Sequence, residues 1–156
     1  MIHAHDFVAA APRRAPLPRR ADAIPMTPAM YVRLRRMAAG LTEQQLADRL
    51  AVLYRRERPD FAVTHPISAH MLHVVRALEM PSAKARLRET VDAIAAVMFF
   101  DADVYWQLRD NKPTRHPRVC RGCGCSTHDA CQHDHWGNCS WASTTQCSHC
   151  ARKARG

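Results

Sequence analysis

The chain has 156 residues, enough for one packed domain and a small additional module, and its apolar share of 47% suffices for one core. A net charge of +9 with a pI near 9.7 points to nucleic acid or another anionic partner. The longest apolar run, Ala93 to Phe100, is far too short to cross a membrane, and Phe7 to Ala11 is too short for a secretory signal, so the expectation is a cytoplasmic protein in a reducing compartment.

Residues 1–25 read as a flexible basic arm. Pro12, Pro16, Pro18 and Pro25 break any helix, while Arg13, Arg14, Arg19 and Arg20 supply charge suited to DNA phosphates or a minor groove. A helical domain is expected over 26–109. Its first helix begins with Thr27 as N-cap and Pro28 at the first helical position, with Met26 and Tyr31 as a hydrophobic staple. Met30, Leu34, Met37 and Ala38 recur at helical spacing, Arg33, Arg35 and Arg36 fall mostly on other faces, and Gly40 ends the helix.

Thr42 and Gln45 form a capping box that starts the second helix, with Leu46, Ala47, Leu50 and Leu53 on its apolar face. It runs through Arg55 and Arg56 to Pro59, and residues 59–66 form a loop. Ser68 is placed to cap a third helix to Glu79, with Met71, Leu72, Val75 and Leu78 inward and His70, His73 and Arg76 on polar positions. Ser82 then caps a long fourth helix from Ala83 to about Phe100, striped by Leu87, Val91, Ile94, Ala95 and Met98. Asp101 or Asp103 caps a short fifth helix. Residues 110–119, with Pro113 and Pro117, read as a linker, and 151–156 as a basic tail.

All seven cysteines lie within 120–150. Cys120-x-x-Cys123 and Cys147-x-x-Cys150 are the paired knuckles that build a tetrahedral zinc site, because each tight turn aims two thiolates at one ion. Cys125, Cys131 and Cys139 remain, and with one of His128, His133 or His135 they would hold a second zinc. One or two Zn²⁺ ions are therefore expected. The odd count argues against a disulfide framework, and the histidines favour zinc over an iron–sulfur cluster. Trp136 and Trp141 are expected to cover a metal core without which so small a module would not fold.

The run from Tyr31 to Leu50, with Gly40-Leu41-Thr42 and Leu46-Ala47, resembles the first two helices of the lambda-repressor/Cro-like (XRE-type) helix-turn-helix family. Ile67 to Leu78 and then Pro81 to Val104 are similar to its recognition helix and the helices that follow. The resemblance covers about residues 27–108. It implies a mainly α fold, a five-helix helix-turn-helix domain followed by a small C-terminal zinc-knuckle module. It also implies base contacts from Ser68, Ala69, His70 and His73, and phosphate contacts from Gln44, Gln45, Arg33 and Arg76. Two departures stand out. Glu43 occupies the place of a usual glutamine, and residues 54–66 are an insertion whose Arg55 and Arg56 add candidate phosphate contacts. The cysteine spacing is similar to a metal-binding module of small phage and prophage proteins.

These features imply a sequence-specific, double-stranded-DNA-binding transcriptional regulator of phage or mobile-element origin. It would be a homodimer without membrane association, with the zinc module free to contact a protein partner. The alternative is a zinc-containing adaptor or inhibitor of a host protein. A third reading, an HNH-like nuclease using His133, His135 and Asn138, is disfavoured by the short spacing from His135 to Cys147, and no catalytic residue is expected.

Overall fold

The computed structural model describes residues 24–59, 66–133 and 137–154. The expected arm up to residue 23, the centre of the 59–66 loop, and His135 and Trp136 lie outside the described residues, as does the side chain of His133. The chain is mainly helical: α1 (Pro28–Ala38), α2 (Glu43–Glu57), α3 (Ile67–Leu78), α4 (Arg88–Val97), α5 (Ala102–Asp110) and α6 (Ser148–Lys153). Two small antiparallel hairpins pair β1 (Gln132–His133) with β2 (Gly137–Asn138) and β3 (Trp141–Ser143) with β4 (Gln146–Cys147). No helix among the described residues is long and apolar enough to cross a membrane.

Local signals start three helices where expected. The Thr27 hydroxyl accepts from the Met30 N–H at 3.1 Å, with Pro28 at the first helical position. Thr42 and Gln45 close a reciprocal capping box, and the Asp101 carboxylate accepts from Asp103 and Val104 N–H groups at 2.9 and 3.1 Å. Gly40, at φ 68°, adopts the left-handed conformation that turns the chain out of α1.

The inward face of α1 differs from expectation. Met30 and Met37 are 36% and 57% exposed, whereas Ala29, Tyr31, Val32, Arg35 and Arg36 are buried. The helix is covered on two sides, and both arginines meet carboxylates there. Arg36 pairs with Glu79, just past α3, through two contacts of 2.6 and 2.8 Å. Arg35 pairs with Asp129 of the cysteine-rich segment at 2.7 Å.

Ser68 does not cap α3, which starts one residue earlier behind Pro66 without a side-chain cap. Its hydroxyl instead donates to Asp48 on α2, and Gln44 donates to both Asp48 (2.8 Å) and Ser68 (3.1 Å). This polar clasp ties the start of α3 to α2, the two helices that pack most extensively. Ile67, Val75 and Leu78 are buried beneath it, opposite Leu46, Ala47 and Leu50.

The fourth helix is shorter than its apolar stripe suggests. Residues 83–87 stay outside it, and Leu87 is 63% exposed. Ala85 is buried there, and its N–H donates to the Tyr105 hydroxyl at 2.7 Å, a bond that holds the segment extended against α5. At the other end Arg49 donates to the Val97 carbonyl at 3.1 Å, satisfying a terminal acceptor. Tyr105→Phe orphans the buried Ala85 N–H and should cost about 1–3 kcal/mol, read as a lower urea midpoint at unchanged slope.

One apolar core joins α1 to α5, with Tyr31 and Phe100 rings 4.8 Å apart and Tyr105 edge-on to Trp106 at 5.4 Å. The stretch expected as a linker contains a 3-10 turn at Pro113–Arg115, and Val119 is part of that same core. The cysteine-rich segment therefore continues directly from the helical core.

Candidate metal centre

The cysteine-rich segment is built from turns that fold its thiols onto one another. The Gly124 N–H donates to the Cys120 carbonyl and the Cys120 N–H to the Cys125 carbonyl, each at 2.8 Å. Gly124 makes this turn at φ 77°, and a Cβ there would lie 2.7 Å from Cδ of Arg35. The turn swings Cys125 back beside Cys120. Hairpin β3–β4 delivers Cys147, whose Sγ accepts from the Cys150 N–H at 3.5 Å at the start of α6.

Two groups of four sulfur atoms result: Cys120, Cys123, Cys125 and Cys147, and Cys125, Cys131, Cys139 and Cys147. Within each group every Sγ lies within 4.8 Å of the others. Individual separations are 3.8 Å for Cys123–Cys147, 3.7 Å for Cys125–Cys139 and 3.9 Å for Cys131–Cys147. Four thiolates around a zinc ion at about 2.3 Å stand about 3.8 Å apart along each tetrahedral edge. These thiols lie at metal-binding distance, and none of the seven is in a disulfide.

The grouping differs from the one read off the knuckles. Cys125 takes the place of Cys150 in the first group, because the turn at Gly124 brings it inward. In the second group Cys147, and not a histidine, is the fourth donor among the described residues. His128 is exposed and belongs to neither group. Cys150 remains nearby, since a Cβ on Gly122 would lie 2.8 Å from its Sγ, which leaves room only for glycine at that position.

The electrostatics favour a cation. Burial pushes the Cys131 and Cys150 thiols up, and the hydrogen bonds to Cys120 push the Cys125 thiol up, while bonds from Cys123 and Cys125 hold Cys120 down. So many sulfurs in one buried pocket cannot all ionise unless positive charge joins them, and a metal that binds there releases protons. Backbone N–H groups already face the sulfurs: Gly122 and Cys147 donate to Cys120 Sγ at 3.4 and 3.3 Å. Arg118 lies 4.2 Å over the Trp141 ring at the rim.

The expected DNA contacts lie on the helical side, away from the sulfurs. Ala69, His70 and His73 form an exposed strip on α3, and Arg33, Arg55 and Arg56 are exposed. Four others have partners within the chain. Ser68 and Gln44 belong to the clasp with Asp48, Gln45 accepts from the Thr42 N–H at 2.8 Å, and Arg76 pairs with Glu43 at 2.9 Å. That pairing holds the Glu43 carboxyl below its usual range and balances its negative charge. Arg35, expected off the apolar face, is instead buried, and neither Gly124 nor Asp129 stood among the expected site residues. The one local signal was the glycine in Cys123-Gly124-Cys125, and nothing near Arg35 announces a carboxylate so far along the chain. Compared with known families, with curated proteins and with solved structures, the chain matches none.

Proposed function

We propose that the protein is a sequence-specific DNA-binding regulator in which α3 reads bases and the cysteine module, holding zinc, is a structural buttress. The observation that carries this reading is the disposition of α3. One face is packed on α2 and clasped at its start through Ser68, Gln44 and Asp48, while Ala69, His70 and His73 are left exposed along the other. A helix of 12 residues is about 18 Å long and fits the major groove, where imidazoles exchange hydrogen bonds with base edges and the Ala69 methyl suits a thymine methyl. Lys84 and Arg86 are exposed in the segment that follows α3, and with Arg33, Arg55 and Arg56 they offer phosphate contacts. Gln44, Gln45 and Arg76 position the helices and leave the phosphates to these exposed cations. A dimer would read two half-sites about 34 Å apart.

Selection from a random duplex library, followed by titration of the enriched sequence, tests the reading. The His73→Ala variant should lose discrimination between the enriched site and its single-base variants by roughly 1–3 kcal/mol. Arg33→Ala should instead weaken binding to all sequences alike and lower the salt slope by about one. An unenriched library, or wild-type binding by both variants, would reject α3 as a reader.

A further inference from the structure

We propose that the seven thiols form a single pocket for two tetrahedral ions of the zinc class, bridged by the sulfur of Cys147. This inference rests on the sulfur geometry and is independent of the DNA reading.

Two separate tetrahedral sites need eight donors; this segment has seven cysteines, and among the described residues no histidine joins either sulfur group. Two tetrahedra that share one corner need seven. The shared corner must be a buried sulfur with neighbours on both sides, and Cys147 has that position. It is fully buried, lies 3.8 Å from Cys123 on one side and 3.9 Å from Cys131 on the other, and belongs to both four-sulfur groups.

Cys125 also lies within both groups, beside Cys120 as well as Cys139, whose sulfur is 3.7 Å away; we assign it to the second ion because Cys150, whose N–H donates to the Cys147 sulfur, can complete the first. The first ion then takes Cys120, Cys123 and Cys150 with Cys147, and the second takes Cys125, Cys131 and Cys139 with Cys147. This division returns the outer knuckles to one ion and accounts for the odd number of cysteines. Seven thiolates around two dications leave a net negative cluster. The N–H groups of Gly122, Cys147 and Cys150 that face Cys120 and Cys147 temper that charge.

The test uses the full chain purified with zinc under reducing conditions. Native mass spectrometry and elemental analysis should find two zinc ions per chain. Exchange into ¹¹³Cd should give two resonances that split each other, because two ions bonded to one sulfur are coupled through it. The Cys150→Ser variant should keep that splitting, and Cys147→Ser should lose it. One ion per chain, two cadmium resonances without mutual splitting, or iron accompanied by inorganic sulfide would each overturn the proposal. The wild-type splitting decides whether a sulfur is shared even where Cys147→Ser fails to fold, and loss of the splitting in Cys125→Ser with its retention in Cys147→Ser would reject Cys147 as the bridge. DNA plays no part in these readouts, so their failure is distinct from failure of the DNA reading.

Discussion

The Arg35→Ala variant should be destabilised by about 3–5 kcal/mol, the cost typical of leaving one member of a buried ion pair alone. Arg35 and Asp129 side chains are 3% and 7% exposed, and their 2.7 Å contact joins α1 to the cysteine module. Arg35 also donates to the Phe99 carbonyl at 3.2 Å and lies 4.7 Å over the Phe99 ring. Burial pushes the Asp129 carboxyl up and Arg35 opposes it, with desolvation the larger influence. Removing Arg35 takes away the compensation and keeps the burial. The double variant Arg35→Met with Asp129→Leu removes both charges and should recover most of the loss. Urea unfolding followed by circular dichroism measures all three proteins. A loss below about 1 kcal/mol for Arg35→Ala would show that the pair behaves like an exposed one.

Loss of Glu79 should be nearly as severe and should have a functional signature. Both Glu79 oxygens engage Arg36, at 2.6 and 2.8 Å, and Arg36 also donates to the Leu41 carbonyl at 2.7 Å. Two parallel charge-assisted bonds fix orientation as well as distance. Glu79 follows the last turn of α3, so this fork clamps the end of α3 to α1, as the Ser68 clasp fixes its start to α2. Glu79→Ala strands a largely buried guanidinium and should cost about 3 kcal/mol. Glu79→Gln keeps an acceptor and should cost about 1–2 kcal/mol. Under conditions where both variants remain folded, Glu79→Ala should discriminate less between the selected site and its variants, because α3 is then held at one end. Wild-type stability and discrimination in Glu79→Ala would show that the fork has no part in positioning α3.

These two clamps also mark where the sequence stopped being informative. Thr27-Pro28, Thr42 with Gln45, and Asp101 were legible because each side chain satisfies backbone groups within three residues of itself. The apolar spacing placed Leu34 against the core but misled at Met30 and Met37, because α1 is covered on two sides and its charged positions meet partners 43 and 94 residues away. The long fourth helix misled for a similar reason: the Tyr105 hydroxyl offers Ala85 a hydrogen bond that a local stripe cannot reveal. Cysteine spacing announced metal chemistry, since two thiol pairs, each with two residues between its members, are a common way to build a metal site. It did not divide the sulfurs between sites, because that division depends on the turn at Gly124 and on where hairpin β3–β4 delivers Cys147.

The link between Arg35 and Asp129 has a consequence for how the chain is made. The two residues are 94 positions apart, and ribosomes add about 5–20 residues each second. Arg35 therefore emerges about 5–20 s before its carboxylate exists, whereas Glu79, the partner of the neighbouring Arg36, is made well before then. During that interval α1 carries a cation that its final environment would exclude from water, and one side of it stays open. A segment made after all five helices of the core closes the outer side of α1.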